Sequence, residues 1–266
     1  MPQCIILIIA HKELLTETEK ESLKQCFSVL NKHPIRLICP KGLNVNEYLK
    51  IAPNAQFDFI DPKWQSNYTM FGRLKIVPFL YKKYRQYQYI LFYELDAWVF
   101  RDELQYWCNK GYDYIGAPWL EGWKNPLPDA KIMGIGNGGF SLRKTESHLK
   151  VLRSFSYIRK PKTLYKEFLS KKNLRSFLTL LSNLTVRNNT FILFNDYYLH
   201  EDVFWGIIVA SNFKWYKIPT PEEALKFSIE AGPSRFITGP DKLPFGCHAW
   251  PKIEPNFWER YIRIKE

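Results

Sequence analysis

Residues Cys4 to Ala10 form an unbroken apolar run, CIILIIA, dominated by β-branched side chains. The run is too short to cross a bilayer as a helix, which takes about 20 residues, and β-branched side chains suit a pleated strand. It follows no basic stretch and precedes charged residues, so it does not read as a targeting segment. A strand that is apolar at every position, without polar alternation, must be covered on both faces. Leu14 to Leu30 is rich in Glu and Lys with apolar residues near helical spacing, and Ile35 to Cys39 is a second apolar run. Strand, helix and strand in that order predict a β-α-β unit, and so a mostly parallel sheet flanked by helices.

The pattern continues along the chain. Glu47 to Ile51 predicts a short helix and Gln56 to Ile60 a strand. Arg73 to Tyr84 places Leu74, Val77, Leu80 and Tyr81 on one helical face, and Tyr89 to Phe92 is a buried strand running straight into Glu94-Leu95-Asp96. Two acids at the C-terminal end of such a strand stand where open α/β sheets bind their ligands. Tyr112 to Ala117 predicts another short strand, and Trp119 to Ile132, rich in Pro, Gly and Trp, a flap loop. Between Gly134 and Arg143 the glycines are too dense for a regular element, with a strand resuming at Phe140. Arg159 to Thr190 predicts one or two amphipathic helices, and His200-Glu201-Asp202 opens a helix running to Ala210. With no internal repeat or disordered linker, the expectation is a single domain over 1–266 with a basic helical insertion at about 155–192.

Charge is unevenly placed. Of the net +12, much falls between Arg159 and Arg187, where eight basic residues (Arg159, Lys160, Lys162, Lys166, Lys171, Lys172, Arg175, Arg187) face one acid, Glu167. A local excess of that kind suits an anionic membrane face or nucleic acid, or is a solvated helix pair covering the sheet. Nine Trp and sixteen Tyr suit stacking on sugars or bases, or else a Tyr-rich core. The five cysteines make no CxxC pair and no disulfide framework, which fits a reducing compartment, the cytoplasm.

The chemistry-bearing residues each have two readings. Glu94 and Asp96 offer an oxygen-rich site for a hard divalent cation, or serve as a cap or ion-pair partners. His248, in Phe245-Gly246-Cys247-His248-Ala249-Trp250, is a ligand or a core histidine. Gly138 and Gly139 admit close approach of a ligand or form a bulge, with Asn137 able to bond a hydroxyl. Arg73 and Lys75, at a helix start, reach a diphosphate or are surface charges. Glu201 and Asp202 supply a general base or cap their helix.

In chain order, Ile5 to Ala10, Met70-Phe71-Gly72-Arg73-Leu74-Lys75, Phe92-Tyr93-Glu94-Leu95-Asp96-Ala97, Gly136 to Arg143, His200-Glu201-Asp202-Val203-Phe204 and Phe245 to Trp250 resemble the bacterial GT-A glycosyltransferase-like family carrying the domain label DUF5672. The resemblance spans nearly the whole chain and implies a GT-A, Rossmann-like fold. It implies transfer of a sugar from a nucleotide donor, UDP-linked by expectation, to a saccharide, glycolipid or protein acceptor. Asp96, Glu94 and His248 would hold Mn²⁺ or Mg²⁺, with Glu94 standing where many GT-A enzymes carry Asp. His11, Arg73, Lys75, Glu94, Asn137, Gly138 and Gly139 would bind the donor, and Trp119 and Trp123 the acceptor. Asp202, and after it Glu201, would be the base of an inverting transfer. The basic insertion would then hold the enzyme peripherally on the inner, anionic face of the membrane.

Three other readings compete. A nucleic-acid module would use Tyr157, Tyr165, Phe168 and Phe177 among the cations, but no helix-turn-helix, zinc-finger or ribonucleoprotein signature appears, so nucleic acid is not an expected partner. A nucleotidyltransferase or phosphatase would want a Gly-rich or Lys-rich phosphate loop after the first strand, and Ala10-His11-Lys12-Glu13 has no glycine. A sugar-binding, non-catalytic GT-A homologue is the third.

Overall fold

The computed structural model describes residues 3–123, 126–154, 161–185 and 200–263. The fold is mixed α/β, with a central sheet flanked by helices. Its strands are β1 (Cys4–Ile9), β2 (Ile35–Pro40), β3 (Phe57–Ile60), β4 (Tyr89–Tyr93), β6 (Tyr114–Ile115) and β9 (Phe140–Lys144), in the spatial order β3-β2-β1-β4-β9-β6. The first four run parallel, whereas β9 is antiparallel to both β4 and β6.

β1 shows why its run is apolar throughout. Cys4, Ile6 and Ile8 point into one core with Leu23 and Cys26 of α1 (Glu17–Val29), while Ile5, Leu7 and Ile9 point into the other with Leu80, Tyr81 and Trp205. Full burial of each such side chain contributes about 1.5–3 kcal/mol. All five cysteines are buried and unpaired. Helix α1 starts at a capping box, Thr16 accepting from Glu19 N while Glu19 accepts from Thr16 N.

Two expectations are corrected. The helix expected over Arg73 to Tyr84 is two helices, α3 (Tyr68–Leu74) and α4 (Pro78–Lys83). Pro78 opens the second and forces Val77 into extended backbone, so Arg73 and Lys75 stand at a helix end, not a helix start. The loop expected from Trp119 begins and ends as a hairpin instead, β7 (Pro118–Leu120) pairing with β8 (Ile132–Ile135).

The remaining elements frame the site. A three-stranded sheet joins β5 (Trp98–Val99), β11 (Gly246–Cys247) and β10 (Ser228–Ile229). Within 155–192, the described part is a helical pair, α7 (Pro161–Lys171) and α8 (Leu174–Thr185); Arg159, Lys160 and Arg187 lie outside the described residues. The helix opened by Glu201 continues through a π-helical stretch, Phe204–Val209, to Asn212. Among the described residues, no helix is long and apolar enough to cross a membrane.

Candidate active site

The strand order reverses beside β1: β2 and β4 flank it, and the chain turns outward in opposite directions from each. A crevice opens at the C-terminal ends of strands at such a point. A cavity of about 930 Å³ lies there, lined among others by Glu94, Asp96, Gly139, Asp202, Glu230 and His248.

Register assembles the site from distant segments. Glu94 and Asp96 follow β4, and β5 then pairs antiparallel with β11, setting Trp98 opposite Cys247 and so His248 near Asp96. β10 runs parallel to β11 with Ile229 opposite Cys247, which sets Glu230 beside His248. Ala249 has left-handed backbone (φ 52°), a turn that lets Trp250 N donate to Asp96 O at 3.3 Å.

The imidazole of His248 is hydrogen-bonded at Nδ1 and faces carboxylates at Nε2. Nδ1 lies 3.0 Å from Glu230 Oε1 and 3.0 Å from Asn137 Nδ2. Nε2 is buried and lacks a hydrogen bond, yet it lies 3.1 Å from Asp96 Oδ1 and 3.6 Å from Glu94 Oε2. One ligand atom from each of Glu94, Asp96 and His248 fits within 4.8 Å of the others. With a cation between the ring and the two carboxylates, a proton on Nδ1, accepted by Glu230, would leave the Nε2 lone pair to ligate it, the tautomer that a metal-binding histidine uses. Two hard oxygens and one imidazole, offering its orphaned Nε2, fit Mn²⁺ better than Mg²⁺. Burial alone would depress His248, but Asp96, Glu230 and Glu94 hold its pKa well above the ordinary histidine value. Burial, the largest single influence, would raise Asp96 and Glu94; His248 and Lys252 together outweigh it at Asp96, holding that group below the usual carboxylate range, and Lys75 and His248 together outweigh it at Glu94, held down at about 2. Exposed Lys252 takes the other Asp96 oxygen at 2.6 Å.

Beneath the cavity floor lies a buried charge cluster. Lys75, only 2% exposed, bonds Glu94 and the Gly138 carbonyl (3.2 Å), and its Nζ lies 3.5 Å from Glu201 Oε1. Fully buried Arg143 grips Glu201: Nη2 donates to Oε1 at 2.9 Å, and Nη1 stands 2.9 Å from Oε2 as an ion pair without hydrogen-bond alignment. Lys75 and Glu201 also line the cavity, but Lys75 is engaged with protein carboxylates and the Glu201 oxygens stand against buried cations. Asp202, its neighbour, faces the cavity, and burial followed by the Glu201 charge pushes its carboxyl up to about 6.

The other expected residues fall as follows. Arg73 lines the cavity, and its Nε is buried without a partner. Asn137 is buried in left-handed backbone (φ 75°), its Oδ1 accepting from Gly139 N and Phe140 N at 2.9 and 3.0 Å. Gly138 and Gly139 line the cavity, and neither has room for a Cβ: Glu201 Oε1 would be 2.2 Å away at the first and His248 Nε2 2.0 Å at the second. His11 is exposed just beyond β1, with its ring 6.3 Å from that of Phe71. Trp123 lines the cavity beside Tyr68 and His200, whereas Trp119 is buried behind it, ring centroids 6.2 Å apart. Sequence reasoning missed Glu230, Tyr68 and Lys252; Arg143 stood in a quoted motif without a role.

A family model described as "Protein of unknown function (DUF5672)" matches residues 54–248. No curated protein matches the chain. Among solved structures, apo mouse xyloside xylosyltransferase 1 is similar at 11% identity, covering 91% of this chain and 96% of that one with a TM-score of 0.48. The galactosyltransferase LgtC with donor and acceptor sugar analogues gives 12% identity, 92% and 86% coverage, and a TM-score of 0.45. The bifunctional glycosyltransferase WbbM gives 10%, 96% and 47%, and 0.47.

Proposed function

The chain belongs to the DUF5672 family, and we propose that it is a metal-dependent, inverting glycosyltransferase of the GT-A type, built as one domain over 1–266. The observation that carries the reading is the convergence of Glu94, Asp96 and the orphaned Nε2 of His248 on one wall of a switch-point cavity that also holds Asp202. A bound Mn²⁺ or Mg²⁺ would supply charge neutralisation for a diphosphate leaving group. Arg73, a lining residue whose buried Nε has no hydrogen-bond partner, adds a second cation for phosphate oxygens. Trp123 and Tyr68 offer ring faces at the same cavity for a saccharide.

Asp202 takes the proton of the acceptor hydroxyl. The acceptor oxygen bonds the anomeric carbon as the bond to the nucleoside diphosphate breaks, and the diphosphate carries away that electron pair. A carboxyl poised near 6 is ionised at neutral pH and basic enough to act. Glu201 does not compete for this role in the proposal, because its carboxylate stands against Arg143 and Lys75. A UDP sugar is the proposed donor, a saccharide, glycolipid or protein the acceptor, and the cytoplasm the setting.

Thermal shift with nucleotides and nucleotide sugars, each with Mn²⁺, Mg²⁺ or EDTA, tests the reading. A nucleoside diphosphate should stabilise the protein only with metal, and Asp96→Ala should remove that response while leaving the ligand-free melt nearly unchanged. No response to any nucleotide, together with a shift on adding oligonucleotides, would overturn it.

A further inference from the structure

We propose that the α7–α8 hairpin is a docking surface for an anionic lipid bilayer, lying in the headgroup region. Only Lys172 and Asn173 join the two helices, which therefore run antiparallel, and they meet at Phe168 and Phe177, whose ring centroids are 5.6 Å apart. At about 100° per residue, Tyr165 and Leu169 on α7 and Leu174, Leu178 and Leu181 on α8 are rotated from that contact line in the same sense. In an antiparallel pair the same sense of rotation leads to the same side, so these residues form one face with Phe177. All are exposed, Leu174 at 71%, Leu178 at 54% and Tyr165 at 52%, while Leu164 and Ser176 turn inward. An i, i+3, i+4, i+7 stripe such as Leu174, Phe177, Leu178 and Leu181 ordinarily faces a core.

The cations lie where a bilayer would want them. Lys162 and Lys166 continue the α7 rotation beyond Tyr165 and Leu169, and Arg175 continues that of α8, so the apolar strip is flanked on both margins. Lys171 and Lys172 close the turn end, and the acid of the hairpin, Glu167, bonds Lys171 at 2.6 Å. Apolar side chains enter the acyl boundary while long basic stems keep their charges among anionic headgroups. The same charge pattern disfavours a second copy of the chain, whose cationic margins would meet these. The inference is independent of the sugar-transfer reading.

The full chain is sedimented with vesicles of phosphatidylcholine alone and of phosphatidylcholine with phosphatidylglycerol. Three surface variants accompany it: Leu174→Ser/Leu178→Ser, Lys162→Glu/Lys166→Glu/Arg175→Glu, and, as a control, Lys150→Glu/Arg153→Glu in a separate basic groove of about 620 Å³. Wild type should pellet with the anionic vesicles only and be released by salt, as the control variant should. Each cation at an anionic surface is worth about fivefold in partitioning, so the charge variant should lose more than tenfold, and the Leu variant should also fail to pellet. Equal binding to neutral vesicles, binding untouched by the hairpin variants, or loss in the groove variant alone would overturn the proposal. So would a wild type that stays in solution as a dimer and becomes monomeric in the Leu variant.

Discussion

Replacing Glu201 by Ala strips the buried Arg143 guanidinium of its carboxylate. Arg143 is 0% exposed, and its guanidinium carbon sits 4.3 Å from the Phe92 ring centroid and 5.4 Å from that of Tyr114. What remains to it are the neutral oxygens of Ser141, at 3.1 and 3.0 Å, and Tyr81, at 3.3 Å. Burial alone would lower the pKa of Arg143, but the Glu201 charge holds it above its ordinary value, so the cation persists in the fold. Removing one partner of a buried pair costs about 3–5 kcal/mol. At about 2–4 °C per kcal/mol for a domain of this size, the melting temperature should fall by roughly 6–20 °C. Glu201→Gln keeps an acceptor but no charge and should lose about 1.5–3 kcal/mol. The assay is thermal unfolding by circular dichroism, paired with urea unfolding. Arg143→Met combined with Glu201→Leu should recover most of the loss, since the cost lies in the uncompensated charge and not in the missing volume. An Ala variant melting within about 2 °C of wild type would refute the reasoning, and loss of turnover in Glu201→Gln with an unchanged melt would make Glu201 the base instead.

Asp202→Asn should abolish transfer while sparing metal-dependent donor binding, and wild-type kcat should fall about tenfold per unit below pH 6. Because the folded pKa, about 6, lies above the unfolded 3.8, the stability contributed by the protonated carboxyl is full below 3.8 and lost as pH rises through 6. Asn should therefore exceed wild type by about 2–3 kcal/mol at pH 8 and match it near pH 3.5, and melts showing no pH dependence in the difference would count against the buried-carboxyl assignment. Gly139→Ala sets a Cβ 2.0 Å from His248 Nε2 and must displace that ring, so the metal-dependent thermal shift should vanish; a retained shift would place the metal elsewhere. Glu230→Gln should weaken Mn²⁺ binding about 10–100-fold, read by metal titration of the thermal shift, with turnover restored at saturating metal; unchanged affinity would leave Glu230 a bystander.

The parallel sheet was legible because β1 and β4 are buried on both faces and so apolar at every position, and the acids after β4 stand out against that run. The α3–α4 break was misjudged although its signal was present: the helical spacing of Leu74, Val77, Leu80 and Tyr81 continues across Pro78, but a proline ring cannot take the place of an interior N–H. Glu230 had no usable signal. It reaches His248 through β10 and β11, strands of two residues each, too short to show any period.

The cluster under the cavity was unreadable for a different reason, because its pairings are made by sheet register and not by spacing. Arg143 lies on β9 opposite Ile90 of β4, and this brings its head to Glu201, 58 residues away along the chain. Adjacent acids at a helix start diverge by about 100°, so Glu201 and Asp202 meet different partners. Both acids line the cavity, but the Glu201 carboxylate stands against Arg143 and Lys75. Burial and then the Glu201 charge raise the Asp202 carboxyl to about 6. The sequence ranked Asp202 before Glu201 as base without a geometric reason, and the ion pairs of Glu201 with Arg143 and Lys75 supply one for the proposed mechanism.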